Sequence, residues 1–596
     1  MNKIIKHISI TTATILTLSL LFVRCGDFLE MPLVSSAVNQ DTIFSSRAKA
    51  EMFLWDTYQQ IMPFGLPLYK STNNDNYDQI DRCIRANLTD ECNQSIGACP
   101  ATEMNNVGYT AAGSQTTPSR YSETKMIKCY SGIRKAWTFI ENVDRVPDIP
   151  QEEKERMKAE CKTLIALRYF TLVRTFGGVP LVKRVLSPED DLMIGRSSFD
   201  ECVNYIVSLC EEAELILPDQ YPTQWRGRVT KGAALSVKAR TLLYAASPLF
   251  NTQNPVLNYG NPEHNKYLCY MNYDVTRWEK AYKANLAVID WATSKGGISL
   301  INTGNPFDDY GTATSVPDNT EIILANKTST LGHSNTGGFT TYYLPNLGAF
   351  NKGSSIMVNA LYQFYKADGT EQSWPAVGEE KPFSEYTEKM AQMEPRFKAI
   401  GWIYGEKPAM CPDRYAGWNY VITGANSGDI QGCAVMMKFT YKFSGSNDQP
   451  FPIFRLSEFY LNCAEAINEY SANNPIAYEM LNQIRRRAGL PAISSSDSRY
   501  NTQNKLGELI KRERFIELFG EDHRIYDVRR WRIADTPGII GGNMLGFVLK
   551  QNTTKTDYLT YTTKNFENRY WNDKMFYHPF PQLEVNKGYL VQNPGY

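Results

Sequence analysis

The chain has 596 residues, of which 42% are hydrophobic and 21% are charged, so it is long enough to bury several hydrophobic cores. Lysine plus arginine equals aspartate plus glutamate at 63 each, so no charge excess favours nucleic acid or anionic lipid as a partner. Twelve cysteines are too sparse over this length for a disulfide scaffold, and no Cys-x-x-Cys pair indicates a zinc or redox site.

The N-terminus predicts export. Lys3 and Lys6 precede a mostly apolar stretch at 8–23, which has the length of a signal peptide rather than of a membrane span. We expect residues 1–24 to be removed and Cys25 to carry lipid. Two acyl chains on this cysteine would hold the protein firmly to a membrane surface. Arg24 stands where lipoproteins normally carry a small residue. Cleavage elsewhere and an uncleaved anchor therefore remain open as alternatives.

A long helix and a helical hairpin are predicted in the first half of the chain. Residues 152–176 carry apolar side chains on more than one face, so we expect this helix to be covered on both sides. The sequence Ser-Phe-Asp-Glu at 198–201 is a capping box, which starts a helix that should run to about residue 217 and end at Pro218. An alanine-rich helix over 230–246 should pack closely beside it.

Apolar residues at spacings of three and four predict further helices over 277–291, 455–470, 477–488 and 506–519. Successive helices of this kind bury their apolar faces on one another, as tetratricopeptide repeats do, although no strict repeat signature is present. We therefore predict a mostly α-helical fold on a scaffold of tetratricopeptide-like helical hairpins. The scaffold is expected to comprise mainly 40–62, 125–250, 277–292 and 455–531.

Three long segments interrupt this scaffold, at 63–122, 251–274 and 303–452. They are rich in Gly, Asn, Asp, Ser, Thr and aromatic residues, with strand-like runs at 321–325 and 435–441. Their many tryptophans and tyrosines are not typical of flexible linkers, so we expect ordered excursions packed on the helices. Such a loop-rich part on a rigid frame is a common place for binding residues.

The cysteines fall into two groups. Cys161, Cys202, Cys210 and Cys463 lie in helical patterns and are expected to be small buried side chains. Cysteines 83, 92 and 99 crowd one polar segment, where we predict a single local disulfide whose pairing the sequence does not fix. The aspartates at 75, 78 and 81 lack the spacing of a calcium-binding EF-hand, so we assign no metal site.

Several blocks of sequence resemble one family and occur in its order. The chain resembles the SusD/RagB family of outer-membrane nutrient-binding lipoproteins. The blocks are Cys25-Gly26-Asp27-Phe28-Leu29-Glu30, Ala166 to Phe170 with Phe176-Gly177-Gly178-Val179-Pro180-Leu181, Gly227 to Ala246, Arg455 to Glu469 with Ile484 to Leu490, Glu513 to Leu518 with His523 to Trp531, and Gln592-Asn593-Pro594-Gly595-Tyr596. Each block alone is a weak signal, and their collinear order is specific.

The resemblance implies one domain over residues 25–596, with four tetratricopeptide-like helix pairs and an irregular ligand-binding part. It implies a protein of the cell outer membrane, lipid-anchored and facing outward, that captures oligosaccharides or, in some branches, peptides. Its implied partner is a SusC-like TonB-dependent transporter, to which it delivers the ligand without chemistry. This interpretation includes no cofactor and no nucleic-acid partner.

Sugar binding would require aromatic rings that stack on C–H faces, together with polar groups that bind hydroxyls. Two excursions supply both, although for any single residue the alternative is ordinary packing or turn formation. The predicted ligand-binding residues are Asn74, Tyr77, Asp78, Arg82, Asp90, Tyr342, Tyr343, Trp374, Trp402 and Trp418.

Enzymatic alternatives have little support in the sequence. It contains no His-Glu-x-x-His, no Gly-x-Ser-x-Gly and no P-loop. A surface glycoside hydrolase needs only two nearby carboxylates, for which Asp90-Glu91 or Asp190-Asp191 are candidates. A purely structural helical adaptor is a further alternative. We expect the charged helix residues Glu513, Arg514, Glu517, Arg524, Arg529 and Arg530 to form ion pairs or solvated faces rather than a catalytic cluster.

Overall fold

The computed structural model describes residues 40–63, 84–94, 100–111, 117–326, 354–407, 409, 432–441, 450–554 and 556–596; at residues 100 and 117–124 it describes the backbone alone. The leader and Cys25 lie outside these residues. None of the helices in the described part is both long and apolar enough to span a bilayer.

Helices are the predominant secondary structure of the described residues. They are α1 Gln40–Ile43, α2 Arg47–Ile61, α3 Pro100–Val107, α4 Thr117–Asn142, α5 Gln151–Phe176, α6 Phe199–Glu214, α7 Lys231–Ala246, α8 Thr276–Trp291, α9 Pro306–Ser315, α10 Val358–Leu361, α11 Phe383–Ala391, α12 Pro395–Ile400, α13 Leu456–Tyr470, α14 Pro475–Arg487, α15 Gln503–Glu517, α16 Arg524–Arg530 and α17 Gln582–Val585.

Consecutive long helices pack side by side into one continuous stack. Helix α5 contacts α2, α4, α6 and α7, so it is covered on both sides as its apolar pattern predicted. The stack continues from α7 to α8, then to α13, which contacts both α14 and α15. This arrangement buries the apolar faces of neighbouring hairpins on each other. The predicted fold class, a mostly α-helical tetratricopeptide-like scaffold that carries a large irregular part, is confirmed.

Local sequence signals set the ends of two scaffold helices. Ser198 Oγ accepts a hydrogen bond from the Glu201 amide at 3.2 Å, and Glu201 Oε2 accepts one from the Ser198 amide at 2.7 Å, which is the predicted capping box. Helix α5 ends at Phe176 and is followed by Gly177, which has a φ of 79°. A side chain there would overlap the Tyr267 carbonyl oxygen, so this helix-ending turn requires glycine.

Nine strands, seven of them short, form three antiparallel sheets within the described residues, in the orders β1-β3-β6-β5, β2-β7 and β4-β9-β8. The strands are β1 Cys92–Gln94, β2 Ile322–Asn326, β3 Ser354–Ile356, β4 Glu380–Pro382, β5 Gly401–Trp402, β6 Ala434–Met436, β7 Phe451–Arg455, β8 Gly542–Gln551 and β9 Tyr558–Arg569.

Two differences from the sequence-based expectations concern strands. The run predicted at 435–441 ends at Met436, because Phe439 adopts a left-handed backbone conformation with a φ of 68° that interrupts an extended chain. The long β8–β9 hairpin was not predicted at all. Its buried and exposed positions alternate irregularly, and two register shifts interrupt the pairing, so the sequence lacks the strict two-residue period of a half-buried hairpin.

The cysteines of the helical scaffold are buried free thiols, as expected for Cys161, Cys202, Cys210 and Cys463. Cys92 is also a buried free thiol, so it takes no part in the local disulfide predicted for that segment. Cysteines 83 and 99 lie outside the described residues. The sequence did not distinguish Cys92 from them because its burial comes from pairing of β1 with β3, which is a long-range contact.

Candidate ligand-binding site

Seven of the ten predicted ligand-binding residues lie outside the described part of the chain. They are Asn74, Tyr77, Asp78, Arg82, Tyr342, Tyr343 and Trp418. The other three, Asp90, Trp374 and Trp402, have defined surroundings.

Asp90 follows the short 3₁₀ helix Arg85–Leu88 and is buried. Its two carboxylate oxygens accept hydrogen bonds from Arg524 Nε at 2.9 Å and Nη2 at 2.7 Å. The Arg524 guanidinium in turn lies 4.7 Å from the ring centre of Phe515. The Asp90 carboxylate thus connects this segment to α16 through a bidentate ion pair.

The two described tryptophans of the prediction both pack against other parts of the fold. Trp402 is 2% exposed, and its indole N–H donates to the Glu406 carbonyl at 2.7 Å. Trp374 is half-buried, and its ring centre lies 5.8 Å from that of Phe547 on β8. Asp90, Trp374 and Trp402 therefore each have a separate packing partner in the fold. Their role in ligand binding stays a prediction.

A different group of aromatic side chains reaches the surface near the middle of α2. We call it the aromatic–arginine cluster. Its rings come from α2 and from the loop between α6 and α7, and its charged groups come from α5 and the same loop. Its members are Trp55, Tyr58, Arg156, Glu160, Tyr221, Trp225 and Arg228.

A buried carboxylate organises this cluster. Glu160 accepts a hydrogen bond from the Tyr58 hydroxyl at 2.5 Å and one from the Tyr221 hydroxyl at 3.0 Å. Arg228 donates to both Glu160 oxygens, from Nε at 3.1 Å and from Nη2 at 2.6 Å. Burial and the negative charge of Glu160 raise the pKa of both tyrosine hydroxyls, so they stay protonated donors. The Glu160 carboxylate is therefore fully paired, and its hydrogen bonds hold the rings of Tyr58 and Tyr221 in place.

The guanidinium of Arg228 lies beneath three of the rings. It is 4.7 Å from the ring centre of Trp225, 5.0 Å from that of Trp55 and 5.4 Å from that of Tyr221. Arg156 also lies 4.7 Å from the Trp225 ring. Such cation–π contacts favour rings held face-on to the cations. Trp55 remains 42% exposed, so flat apolar ring surface stays open to solvent on a preorganised base.

Sequence reasoning missed this cluster. Trp55 lies in the segment 40–62, which was predicted as scaffold, while Trp225 and Tyr221 lie in a short loop outside the long excursions where binding was expected. The local signal that was present is the run Trp225-Arg226-Gly227-Arg228, which places two arginines within three residues of a tryptophan. The partner carboxylate Glu160 is on a distant helix, so the pairing itself could not be read from the sequence.

The aromatic–arginine cluster lies close to the points where two segments with predicted binding residues begin. Asn326, the last residue of β2, donates from Nδ2 to the carbonyls of Met62 at 3.2 Å and Pro63 at 3.3 Å. These carbonyls follow α2, the helix that carries Trp55 and Tyr58. The described residues Pro63 and Asn326, after which the description of the chain breaks off, therefore lie beside each other at this end of α2.

The acidic pairs considered for hydrolysis are engaged in other interactions. Burial raises the pKa of Glu91 to about 7, while its oxygens accept hydrogen bonds from the Gly520 amide at 2.7 Å and the Thr89 hydroxyl at 3.0 Å. Its neighbour Asp90 is paired with Arg524, as described above. Asp190 forms an ion pair with Arg184. Both pairs therefore have structural partners, and Asp90-Glu91 lies in the interior.

Among the described residues, no group of three or more His, Cys, Asp or Glu side chains could hold a metal ion.

Two family profiles match the chain. A profile described as "SusD family" matches residues 320–596, and one described as "Starch-binding associating with outer membrane" matches residues 69–243. Together they leave out residues 1–68 and 244–319.

Individual relatives agree with these profiles. SusD-like protein P25 of Formosa agariphila is 24% identical over 419 residues, which are 68% of this chain and 69% of that protein. A solved SusD-like protein from Bacteroides fragilis superposes with a TM-score of 0.71 at 24% identity, over 94% of this chain and 99% of the other. A solved SusD-like carbohydrate-binding protein from the same species gives a TM-score of 0.64 at 20% identity, over 92% and 99%. The chain shares the fold of these structures.

Proposed function

Because the chain belongs to the SusD/RagB family, we propose that it captures an oligosaccharide at the outer surface of the cell and delivers it to a SusC-like TonB-dependent transporter. The mature chain, residues 25–596, would act by noncovalent binding and would leave the ligand chemically unchanged.

The name of one matching profile supports a carbohydrate ligand, since it refers to starch binding. A solved relative is likewise described as carbohydrate-binding. The observation in this chain that carries the proposal is the aromatic–arginine cluster. It holds partly exposed rings in fixed orientations, which is what stacking on the C–H faces of a sugar requires. The predicted residues Asn74 and Asp78, which lie outside the described part, would bind the hydroxyls.

The proposed location is the outer membrane, with lipid on Cys25. The profile that matches residues 69–243 is described as associating with the outer membrane, which agrees with the lipoprotein-like leader. A lipid anchor needs no spanning helix, and this fits the helices in the described part of the chain, none of which could cross a bilayer.

A binding role also fits the acidic pairs better than catalysis does. In glycoside hydrolases two carboxylates flank an accessible bond. Here Asp90 is neutralised by Arg524 and Glu91 is enclosed, so neither presents a carboxylate to a ligand. Loss of ligand during prolonged incubation with purified protein, detected as shorter oligosaccharides, would contradict this part of the proposal.

The test is a binding screen with protein that lacks residues 1–25, using panels of neutral oligosaccharides and of peptides. We expect calorimetry to detect oligosaccharide binding, and Trp225→Ala to weaken it at least about tenfold, which is about 1.4 kcal/mol. Tyr273→Ala is the matched control, because Tyr273 is a 62% exposed aromatic residue outside the cluster. Binding of peptides alone would show that the ligand is a peptide rather than an oligosaccharide. Unchanged oligosaccharide affinity in Trp225→Ala would show that the aromatic–arginine cluster is not the binding site.

A further inference from the structure

A cavity of about 200 Å³ adjoins the aromatic–arginine cluster and shares Tyr221 and Arg228 with it. Its walls come from four places: the loop 219–230, the end of α8 with the following turn, the turn 318–320, and residues 322–325 of β2. The same strand ends at Asn326, beside the end of α2. The cavity is thus formed by several elements of the fold rather than by a single loop.

One wall of the cavity is a tightly held indole. Trp291 donates from Nε1 to Asp219 Oδ1 at 2.9 Å, which orients the ring. A side chain at Gly232 or at Gly296 would overlap this ring, so both glycines let the backbone approach it closely. Trp291 is 7% exposed and cannot swing away without disrupting this packing. The cavity therefore has a rigid, flat apolar side.

Most polar side chains at the cavity already have partners. Gln220 donates to the Lys295 carbonyl at 2.6 Å, and Asn319 donates to the Val316 carbonyl at 2.9 Å. Thr230 is different. It precedes α7 as the N-cap residue, yet its hydroxyl does not cap the helix, and the buried Oγ1 finds no hydrogen-bond partner among the described residues.

An unpaired buried hydroxyl destabilises the protein, so a ligand group that paired with Thr230 Oγ1 would recover part of this cost. The charges at the cavity favour a neutral ligand. Arg228 is already neutralised by Glu160, and the remaining lining carries both signs, with Arg226 opposed by the carboxylates of Asp219 and Asp318. Hydroxyl groups suit such a lining better than a phosphate or carboxylate does.

The size of the cavity limits the ligand further. Pockets for drug-sized ligands measure about 300–1,000 Å³, and a water molecule takes about 30 Å³, so about 200 Å³ is room for one ring-sized unit. The cavity cannot hold several linked rings. A longer ligand could enter it with one unit while its neighbours lay outside, where the exposed rings of the cluster are.

We infer that this cavity is a subsite for one neutral sugar unit, the end or a branch of an oligosaccharide whose adjoining units stack on Trp55 and Trp225. The unit would lie against Trp291 and bind Thr230 Oγ1. This inference rests on the proposed oligosaccharide-binding function, and it adds that the protein recognises chain ends or branches rather than the interior of a linear chain.

Two variants test the subsite. Thr230→Val removes the unpaired hydroxyl with little change in shape, and Ala325→Leu fills the cavity from β2. The probes are the neutral starch, laminarin, xylan and mannan oligosaccharides, each in linear and branched form, measured by calorimetry. We expect Thr230→Val to weaken binding by about fivefold, the value of one hydrogen bond near 1 kcal/mol. Ala325→Leu should weaken it more, with a distinct loss for branched forms.

Asn204→Ala is the control, since Asn204 is an exposed residue of α6 that does not line the cavity. Thermal unfolding shows whether each variant is folded. If Ala325→Leu fails to fold, Thr230→Val still tests the subsite, because the Thr230 side chain caps no helix and its replacement should leave the fold intact. If the wild type binds an oligosaccharide and folded Thr230→Val binds it equally well, the subsite is overturned and the proposed function stands. If the wild type binds none of the oligosaccharides, both are overturned.

Discussion

Arg455 and Glu517 are joined in the interior by two hydrogen bonds. Arg455 donates from Nη1 to Glu517 Oε1 at 2.6 Å and from Nη2 to the Glu517 carbonyl oxygen at 2.6 Å. Arg455 is the last residue of β7 and Glu517 the last residue of α15, so this pair connects the irregular part to the helical scaffold. Both side chains are at most 1% exposed.

Two further arginines share the same carboxylate. Arg487 binds Glu517 Oε1, and Arg396 Nη1 lies 3.4 Å from Oε2. Burial alone would raise the pKa of Glu517, but the charges of Arg487, Arg455 and Arg396 outweigh burial and hold it well below its usual range. Glu517 therefore stays ionised and counters three buried cations that come from different elements of the fold.

Glu517→Gln is expected to destabilise the protein strongly. The substitution keeps the shape but leaves three buried arginines short of a negative charge, and breaking a buried ion pair from one side costs about 3–5 kcal/mol. Urea unfolding followed by circular dichroism measures this loss. Glu508→Gln on the same helix is the control, because its carboxylate is 74% exposed and pairs only with Lys511 at the surface, among the described residues. Equal stability of the two variants would contradict the central role of Glu517.

The helical scaffold was predictable because its signals are local. Apolar spacing and the capping box gave helices α5, α6 and α13 within a few residues of their observed bounds. The structural role of the charged helix residues was also predicted, except that the buried Arg529 donates to the Met575 carbonyl at 2.9 Å and the Tyr109 hydroxyl at 3.3 Å instead of forming an ion pair or a solvated face. What the sequence could not supply is the partners, since the residues that neutralise Glu517 come from α12, β7 and α14.

The candidate site was predicted less well for a related reason. Its rings depend on Glu160 and Arg228, which are far apart in sequence and give no periodic signal. The same argument applies to Trp402. Composition placed it in a polar, aromatic segment typical of binding loops, but its burial follows from the pairing of β5 with β6, which is a tertiary contact. Aromatic content alone does not separate core rings from exposed ones.

Asn593→Ala is expected to destabilise the C-terminal segment. Asn593 Nδ2 donates to the Phe176 carbonyl at 3.0 Å and the His578 carbonyl at 2.8 Å, and its Oδ1 accepts from Arg196 Nη1 at 3.0 Å. Removing the amide leaves these buried groups short of partners, at about 1–3 kcal/mol for each unpaired group. We expect a lower Tm by calorimetry and earlier proteolysis of the C-terminus.

The control for this prediction is Asn586→Ala. Asn586 is an exposed residue whose side chain accepts one hydrogen bond from Gln582 at 2.7 Å. It lies close to Asn593 in sequence but outside the buried network. A Tm for Asn593→Ala that matches the Tm of Asn586→Ala would show that the buried amide contributes nothing to stability.

Tyr526 is expected to make stability rise with pH. Burial opposes ionisation of its hydroxyl, but the charges of Lys125, Arg174 and Arg85 lower its pKa to about 7, and Lys125 Nζ donates to the hydroxyl oxygen at 3.2 Å. The pKa in the unfolded chain is about 10. Between about pH 7 and pH 10 the unfolded chain therefore binds more protons, so the free energy of unfolding increases with pH through this window and the gain is lost below about pH 7.

The pH prediction is checked by urea unfolding across this window with Tyr526→Phe, which should show a smaller increase than the wild type. Near-ultraviolet absorbance should also show tyrosinate near neutral pH in the wild type and not in the variant. Tyr273→Phe is the control, because that ring is 62% exposed. Parallel pH profiles for wild type and Tyr526→Phe would show that the hydroxyl does not ionise in this window.

Cys25→Ala is expected to abolish lipid attachment. The apolar stretch at 8–23 followed by Cys25-Gly26-Asp27 has the order of a lipoprotein leader, and the thiol of Cys25 is the group that would carry the acyl chains. Cells that express the full chain and grow with a clickable fatty acid should label the wild type and not Cys25→Ala, which should be released from the membrane fraction. Cys269→Ala controls for cysteine loss, because Cys269 is a buried thiol of the folded domain. Undiminished labelling of Cys25→Ala would place the lipid elsewhere and show that Arg24 redirects processing of the leader.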